Sequence, residues 1–401
     1  MNRRRVKITG IGPVTPAGIG RESFWGGILE PVSRVSALEE FPAEAGTFAA
    51  AQVKDFRLEQ YVPGVQSKRM PRHTQFALAA TALAAADAGV SLDELARSEP
   101  IVSIGATLMD FGVINKGVDI ILRKGPLNAL PSSVPIALVS GIGEAVSSLL
   151  GGITRTLCVQ TACCSGLDAV GSAAEAIAGG EADFAICGGT EAPLHFHPMF
   201  EMKLAGLSPG NPDHPERQCR PFDLWRTTGL IGEGACLLIL EPESSPRPGY
   251  AFVSGYGYAS DPRDLACGGL ERAIQLALAN AGRGPGDVDC ISAWGPGHKR
   301  IDAAEAAVCA AILNGRLPEI PVSSIKGAIG NPLAAAGPMQ VACAALGLRH
   351  GTLPPTVNWT HPDPECPLNL KAAPRFIDHS CVMVNGHGLS GTNACLILER
   401  C

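Results

Sequence analysis

With 401 residues, 46% of them hydrophobic, the chain can fill more than one core and is too apolar to remain disordered. A formal net charge of -6 and the lack of a long Lys/Arg run exclude the basic face that nucleic-acid binding requires. The start, MNRRRVKITG, passes into a strand-like run without an apolar export segment, and no stretch has about 18 consecutive apolar residues. Neither export nor a membrane span is expected, and the cytoplasm is the expected compartment.

In chain order, Val6 to Gly10 reads as a first strand, with a turn over Gly12-Pro13 and onward to Gly18. Residues 30–65 lack regular pattern and read as surface loops. Helical periodicity runs from Thr74 to Ala88, with Gly89 placed as its C-cap, and Ile101 to Gly105 returns to strand. Residues 110–150 read as a helical layer and part of a subunit interface. The fourteen cysteines fall largely inside apolar patterns, as Cys158, Cys187, Cys236, Cys309 and Cys343 do, so they read as reduced core thiols. No Cys/His cluster has zinc-site spacing; His195 and His197 stand alone in a Pro-containing loop, and no metal is expected.

The centre of the chain is the stretch from Leu157 to Thr190. A short apolar run, Leu157 to Gln160, suits a buried strand; Cys163 follows at its exit, and Gly166 opens an Ala-rich helical segment. A thiol on such an elbow gains from the helix N-terminus, which favours the thiolate. Cys163 is therefore a candidate nucleophile, against the plainer reading of Cys163 and Cys164 as small buried hydrophobes.

Strand and helix order repeats. The first round runs from the helix ending at Gly89 through strand 101–105 and the Cys163 elbow to strand Asp183 to Cys187 and a Gly188-Gly189 turn. The second runs from the helix ending at Gly282 through strand Asp289 to Ala293 and an elbow from Pro321 to Gly330, to strand Cys381 to Asn385 and a turn beginning at Gly386. Two α/β halves with helices covering sheets are expected. The Pro/Ser-rich connector EPESSPRPG, Glu241 to Gly249, divides them into 1–245 and 246–401.

The run Thr161-Ala162-Cys163-Cys164-Ser165-Gly166 resembles the nucleophile motif of the β-ketoacyl-carrier-protein synthases, the condensing enzymes of fatty acid and polyketide assembly. Arg220-Pro221-Phe222-Asp223, Gly232-Glu233-Gly234-Ala235 and Gly391-Thr392-Asn393-Ala394 extend the resemblance over nearly the whole chain. It implies the thiolase-type, duplicated five-layer αβαβα fold with the site where the halves meet. It also implies an acyl carrier protein as partner, whose phosphopantetheine arm presents the acyl group; no bound cofactor is expected, and no nucleotide loop is present.

The resemblance also marks departures. Where relatives carry HGTxTxxxDxxE, this chain has Trp294-Gly295-Pro296-Gly297-His298, with Asp302 and Glu305 still in register. Trp294 stands in the place of the first catalytic histidine and cannot exchange a proton. In the lysine motif, Lys326 is kept and the second histidine becomes Asn331, whose amide can still donate. The glycine turn reads Asn385-Gly386-His387-Gly388-Leu389-Ser390-Gly391-Thr392-Asn393, with His387 replacing a gating phenylalanine and offering an imidazole from a new direction. His298, flanked by Lys299 and Arg300, is a second candidate.

The candidate site is thus Cys163, Asn331, Lys326 and His387 for chemistry, and Trp294, Gly386, Gly388 and Leu389 around the substrate. Glu233 and Asp223 are expected to secure nearby loops. Two readings lead. The first is a partner subunit similar to a chain-length factor, paired with an active synthase; the second is a Cys163-dependent acyltransferase, working as a homodimer. A rearranged condensing enzyme and an inactive relative stay open.

Overall fold

The first strand, β1 (Val6–Thr15), is buried along its whole length and pairs antiparallel with Gly234–Pro242. The expected stop at Gly12-Pro13 is overturned, because the strand runs through both residues and sets Pro13 opposite Cys236. Its other edge is paired at Lys7 and Ile8 with Ala251–Ser260 and at Val14 and Thr15 with the short return Gly18–Ile19. Pro13 lies between these two pairings, where a nitrogen without a hydrogen costs no ladder bond on that side. The computed structural model describes residues 3–39, 41–42, 45–68, 70–209, 213–262 and 266–401.

The strands that follow are β2 (Ile101–Gly105), β3 (Arg155–Val159), β4 (Ala185–Glu191), β5 (Gly234–Pro242), β6 (Ala251–Ser260), β7 (Cys290–Ser292), β8 (Val322–Ser323), β9 (Cys381–His387) and β10 (Thr392–Arg400). The first five lie side by side as β1-β5-β4-β2-β3 and the second five as β6-β10-β9-β7-β8. In each set the first two pairings are antiparallel and the last two parallel. The same topology is therefore built twice, and the β1–β6 seam (Lys7↔Phe252, Ile8↔Ala251) joins the two sheets.

The main helices are α1 (Arg72–Ala88), α2 (Phe111–Lys124), α3 (Ser140–Leu150), α4 (Ser165–Ala178), α5 (Gly268–Ala281), α6 (Lys299–Leu313) and α7 (Ala336–His350). The central core holds Leu167 and Val170 of α4 and Met339 and Leu346 of α7, with Leu238 from one sheet and Leu396 from the other. Ala77 and Ala84 of α1 and Ile142 and Val146 of α3 cover the outer face of the first sheet; Ala273 of α5 and Cys309 of α6 cover the outer face of the second. The result is the five-layer αβαβα arrangement expected from the resemblance. Among the described residues, no helix is long and apolar enough to cross a membrane.

The duplication extends to contacts. A Cβ on Gly10 or Gly12 of β1 would meet the carbonyls of Ala84 and Ala80 in α1 at 2.2 and 2.0 Å, and one on Gly255 or Gly257 of β6 would meet those of Ala277 and Ala273 in α5 at 2.1 and 2.2 Å. Small residues on both sides let strand and helix approach closely in each half. Both helices end on a left-handed glycine, Gly89 at φ 65° and Gly282 at φ 64°.

Further sequence expectations need correction. The run Leu157 to Gln160, expected as a buried strand, lies at the exposed end of the sheet: Leu157 and Gln160 are exposed, and Cys158 and Val159 are only half-buried. Gly188-Gly189 and Gly386 are strand residues inside β4 and β9, not turns. Gly188 and Gly189 are needed for close approach, since their Cβ atoms would lie 2.1 Å from the Cys236 carbonyl and 2.4 Å from that of Ala334. Residues 30–65 are not all surface loop: Val35–Leu38 pairs antiparallel with Phe48–Ala51, which is buried throughout. The helical layer over 110–150 forms as α2 and α3, but only α3 is well covered; Val118, Ile121 and Leu122 of α2 stay exposed. All fourteen cysteines are free thiols and twelve are buried, which fits the reading of reduced core residues.

Candidate active site

The nucleophile elbow is built by the turn between β3 and α4. Ala162 sits in the left-handed region at φ 52°, an uncommon conformation for a residue with a Cβ, and turns Cys163 away from the strand direction. The strain is held by polar clamps. The Ser165 hydroxyl accepts the Thr161 N–H at 2.9 Å and donates to the Ala162 carbonyl, which Thr107 Oγ1 also donates to at 3.0 Å. From the second half, Thr392 Oγ1 donates to the Thr161 carbonyl at 2.7 Å.

Cys163 lines a cavity of about 450 Å³ shared with Trp294, His298, Asn331, His387 and Leu389. Its walls are otherwise mainly apolar, with Leu108, Met202, Ile231 and Leu333 among them. Phe48 and Ala50, from the stretch read as loop, pack into the same cluster as Cys163 and Trp294. Nothing in their own sequence marked them, because a Phe-Ala-Ala-Ala run carries no strand alternation.

The expected thiolate is corrected by burial. Desolvation pushes the Cys163 thiol up to about 11, against the pull of the Leu389 backbone N–H on the sulfur, and Glu191 adds to the rise while Lys326 opposes it. The loss of solvation outweighs the helix N-terminus. Leu389 therefore contributes its amide to the Cys163 sulfur as well as an exposed side chain to the rim of the cavity.

The backbone of Trp294 is fixed on both sides by buried charged side chains. Glu305 accepts its N–H at 2.8 Å, that of Gly295 at 2.9 Å and the Asn385 amide at 3.0 Å. Asp302 accepts the N–H groups of Phe222 at 2.7 Å and Gly297 at 3.2 Å. The two carboxylates in register thus fix the loop that places the indole. Lys326 lies behind that indole, wholly buried, donating to the Trp294 carbonyl and, at 3.0 Å, to Gln340 Oε1. It reaches the site through charge, acting on Cys163, and through packing against the indole.

Asn331 lines the cavity with its backbone fixed to Leu230 and Gly232, and its side-chain oxygen is buried without a partner. His387 Nδ1 lies 2.8 Å from Asn393 Oδ1, an acceptor. His298 carries a buried Nδ1 without a partner; burial, Arg300, Arg226 and His387 all hold its pKa below the usual range. The two imidazoles line both this cavity and a neighbouring outer one that reaches Asp261 and Arg300. His195 and His197 lie elsewhere, with His197 Nε2 3.0 Å from Glu201.

Gly386 and Gly388, expected around the substrate, instead back the elbow. A Cβ on Gly386 would meet Leu167 and Cys164, and one on Gly388 would lie 2.3 Å from Thr392 Oγ1 and 3.1 Å from the Ala162 Cβ. Glu233 and Asp223 each accept hydrogen bonds from distant segments. Glu233 accepts from Val53 N at 3.0 Å and takes two bonds from Arg72, while Asp223 accepts the N–H groups of Thr360 and His361, each at 2.7 Å. Among the described residues, no group of three or more His, Cys, Asp or Glu side chains is placed to hold a metal.

Comparison with known proteins agrees with this architecture. Residues 3–245 match the family model "Beta-ketoacyl synthase, N-terminal domain", and residues 250–360 match "Beta-ketoacyl synthase, C-terminal domain". The 3-oxoacyl-[acyl-carrier-protein] synthase 2 of Synechocystis sp. is 30% identical over 415 residues, covering 100% of this chain and 99% of the relative. The putative polyketide beta-ketoacyl synthase 1 of Streptomyces virginiae is 33% identical, covering 99% and 98%. Among solved structures, the ishigamide ketosynthase/chain length factor superposes with a TM-score of 0.92 at 30% identity over the full length of both chains. The type II AntDE:AntF complex of an acyl-carrier protein with its ketosynthase gives 0.90 at 26% identity, again over both full lengths. With a duplicated fold, a thiol elbow at the meeting of its halves and two matched family models, the chain belongs to the β-ketoacyl synthase family.

Proposed function

We propose that this β-ketoacyl synthase homologue accepts an acyl group from a carrier protein onto Cys163 and passes it on without decarboxylating a malonyl thioester. The observation that carries the reading is the intact elbow. A thiol faces an apolar cavity with the Leu389 amide on its sulfur, whereas Trp294 fills the place of the histidine needed for decarboxylation. Attack by the sulfur on a thioester carbonyl breaks the carbon bond to the carrier thiol and forms one to Cys163, with backbone N–H groups facing the developing oxyanion. The carrier supplies the pantetheine arm, and the AntDE:AntF relative, in which an acyl-carrier protein is bound to its ketosynthase, supports a partner of that kind.

A second reading, a chain-length-factor-like partner, draws on two observations. Trp294 narrows the cavity with a bulky ring, and the edge strand β3 exposes Leu157 while α2 leaves Val118, Ile121 and Leu122 exposed. An open edge with apolar neighbours suits a second subunit of the same fold, and the ishigamide relative is itself named a ketosynthase/chain length factor.

Intact mass after incubation with acyl-carrier protein, or with an acyl-pantetheine thioester, separates the readings. A Cys163-dependent adduct, absent in Cys163→Ala, is expected. No adduct across several chain lengths, together with a stable complex with a Cys-His-His synthase, would replace the transferase by the partner.

A further inference from the structure

A polar chain runs away from the cavity behind His387. Asp261 Oδ1 accepts the Gly269 N–H at 2.8 Å and the Asn393 side-chain Nδ2 at 2.6 Å, and its Oδ2 accepts the Cys267 N–H at 3.0 Å. Asn393 Nδ2 also faces the carbonyls of Ala259 and Gly391, at 3.4 and 3.3 Å. With only acceptors around one end of the amide, its orientation is settled by chemistry: nitrogen toward Asp261, oxygen toward His387. Asn393 Oδ1 can only accept, so the His387 Nδ1 lying 2.8 Å away must carry the hydrogen.

We propose that Asn393, oriented by Asp261, fixes His387 in the Nδ1–H tautomer and thereby offers its Nε2 to the cavity as the base that relays the Cys163 proton. The inference rests on the acyl-accepting function above and deepens it. His387 lines the Cys163 cavity, and two residues on, the amide of Leu389 reaches the Cys163 sulfur. A thiol made reluctant to ionise by burial gains most from a base that takes its proton during attack. The sulfur bonds to the acyl carbon and its proton passes to His387 Nε2. As the carrier C–S bond breaks, that proton leaves on the carrier sulfur. Asn393 and Asp261 are positioning residues, and the other charged or titratable groups around the relay are His298 and Arg300 toward the outer cavity and Glu191 and Lys326 on the Cys163 side.

Two readouts test the relay. The first is the rate of Cys163 adduct formation from hexanoyl-pantetheine, followed by intact mass from pH 5 to 9. His387→Phe and His387→Gln, the latter keeping a donor toward Asn393, should each slow it on the order of 100-fold and remove the acid limb of the profile. An unchanged rate and profile in both, with the adduct still forming in the parent, overturns the relay and leaves the function standing. The second is the ¹⁵N imidazole spectrum, which reports the tautomer without any turnover. The parent should show His387 protonated at Nδ1 and the folded Asn393→Leu variant a mixture of tautomers; a parent His387 protonated at Nε2 overturns the proposal. Failure of the parent to take any acyl group refutes the function and the relay together, whatever tautomer the spectrum shows.

Discussion

The ammonium of Lys326 stands 3.7 Å from the centre of the Trp294 ring and donates to the carbonyl of the same residue. One lysine thus braces both the ring and the backbone of Trp294, by a cation–π contact and by a hydrogen bond. Burial pulls Lys326 down to about 7, with Glu305 the largest opposing influence. Trp294→His should therefore do more than open space. It sets an imidazole beside Asn331 and should release carbon dioxide from malonyl-carrier protein at least about tenfold faster than the parent. Equal release in parent and variant would show that Trp294 is not what blocks decarboxylation.

Cys163, pushed up to about 11 by burial, should behave as a slow thiol in the absence of an acyl donor. Its alkylation by iodoacetamide should climb about tenfold per pH unit through the neutral range and level off only near its titration. Lys326→Met removes the nearby positive charge and should lower the rate further at fixed pH. A plateau reached already at pH 7 would mean that the resting site holds a thiolate.

Glu191, fully buried at the end of β4, accepts the N–H groups of Thr107 and Leu108 at 2.8 and 3.2 Å, and burial raises its carboxyl from 4.5 to about 7. The folded state then holds a proton that the unfolded chain has already lost between those values, so its stabilising effect is present at low pH and fades as pH rises toward 7. Glu191→Gln should erase this dependence. Denaturation of parent and variant should show the difference moving toward the variant by as much as about 3 kcal/mol from pH 4.5 to 7.5. A pH-independent difference would place the carboxylate in a better-solvated environment.

Leu157 on β3 is 49% exposed in a strand whose outer edge has no partner among the described residues. If a second subunit covers that edge, Leu157→Lys should shift the protein from dimer to monomer in sedimentation while leaving its far-ultraviolet spectrum unchanged. A parent that sediments as a monomer at micromolar concentration would remove the homodimer from consideration.

How much could be read from the residues depended on whether a signal was local. The Gly89 cap, the Cys163 elbow and the repeating strand and helix order all lie in short stretches with a fixed chemistry, and each was legible. Gly188, Gly189 and Gly386 misled because a glycine looks the same whether it bends a chain or admits a neighbour; the carbonyls of Cys236 and Ala334 that explain the first two come from distant segments. The lysine motif singled out Lys326, yet its place behind the indole depends on Gln340 and Trp294 meeting in space. Asn393 closed a recognised motif without betraying that its side chain would meet an imidazole.

The two halves also divide the labour. Their matching elbows meet where the Ala334 carbonyl would touch a Cβ on Gly166 at 2.1 Å. The first elbow presents Cys163, while the equivalent turn after β8 carries Lys326 and then Asn331. The repeated topology thus serves two ends: the first copy places the Cys163 thiol, and the second places the side chains that face and surround it. Residues of the second copy can therefore alter the setting of the thiol without any change to the elbow that carries it.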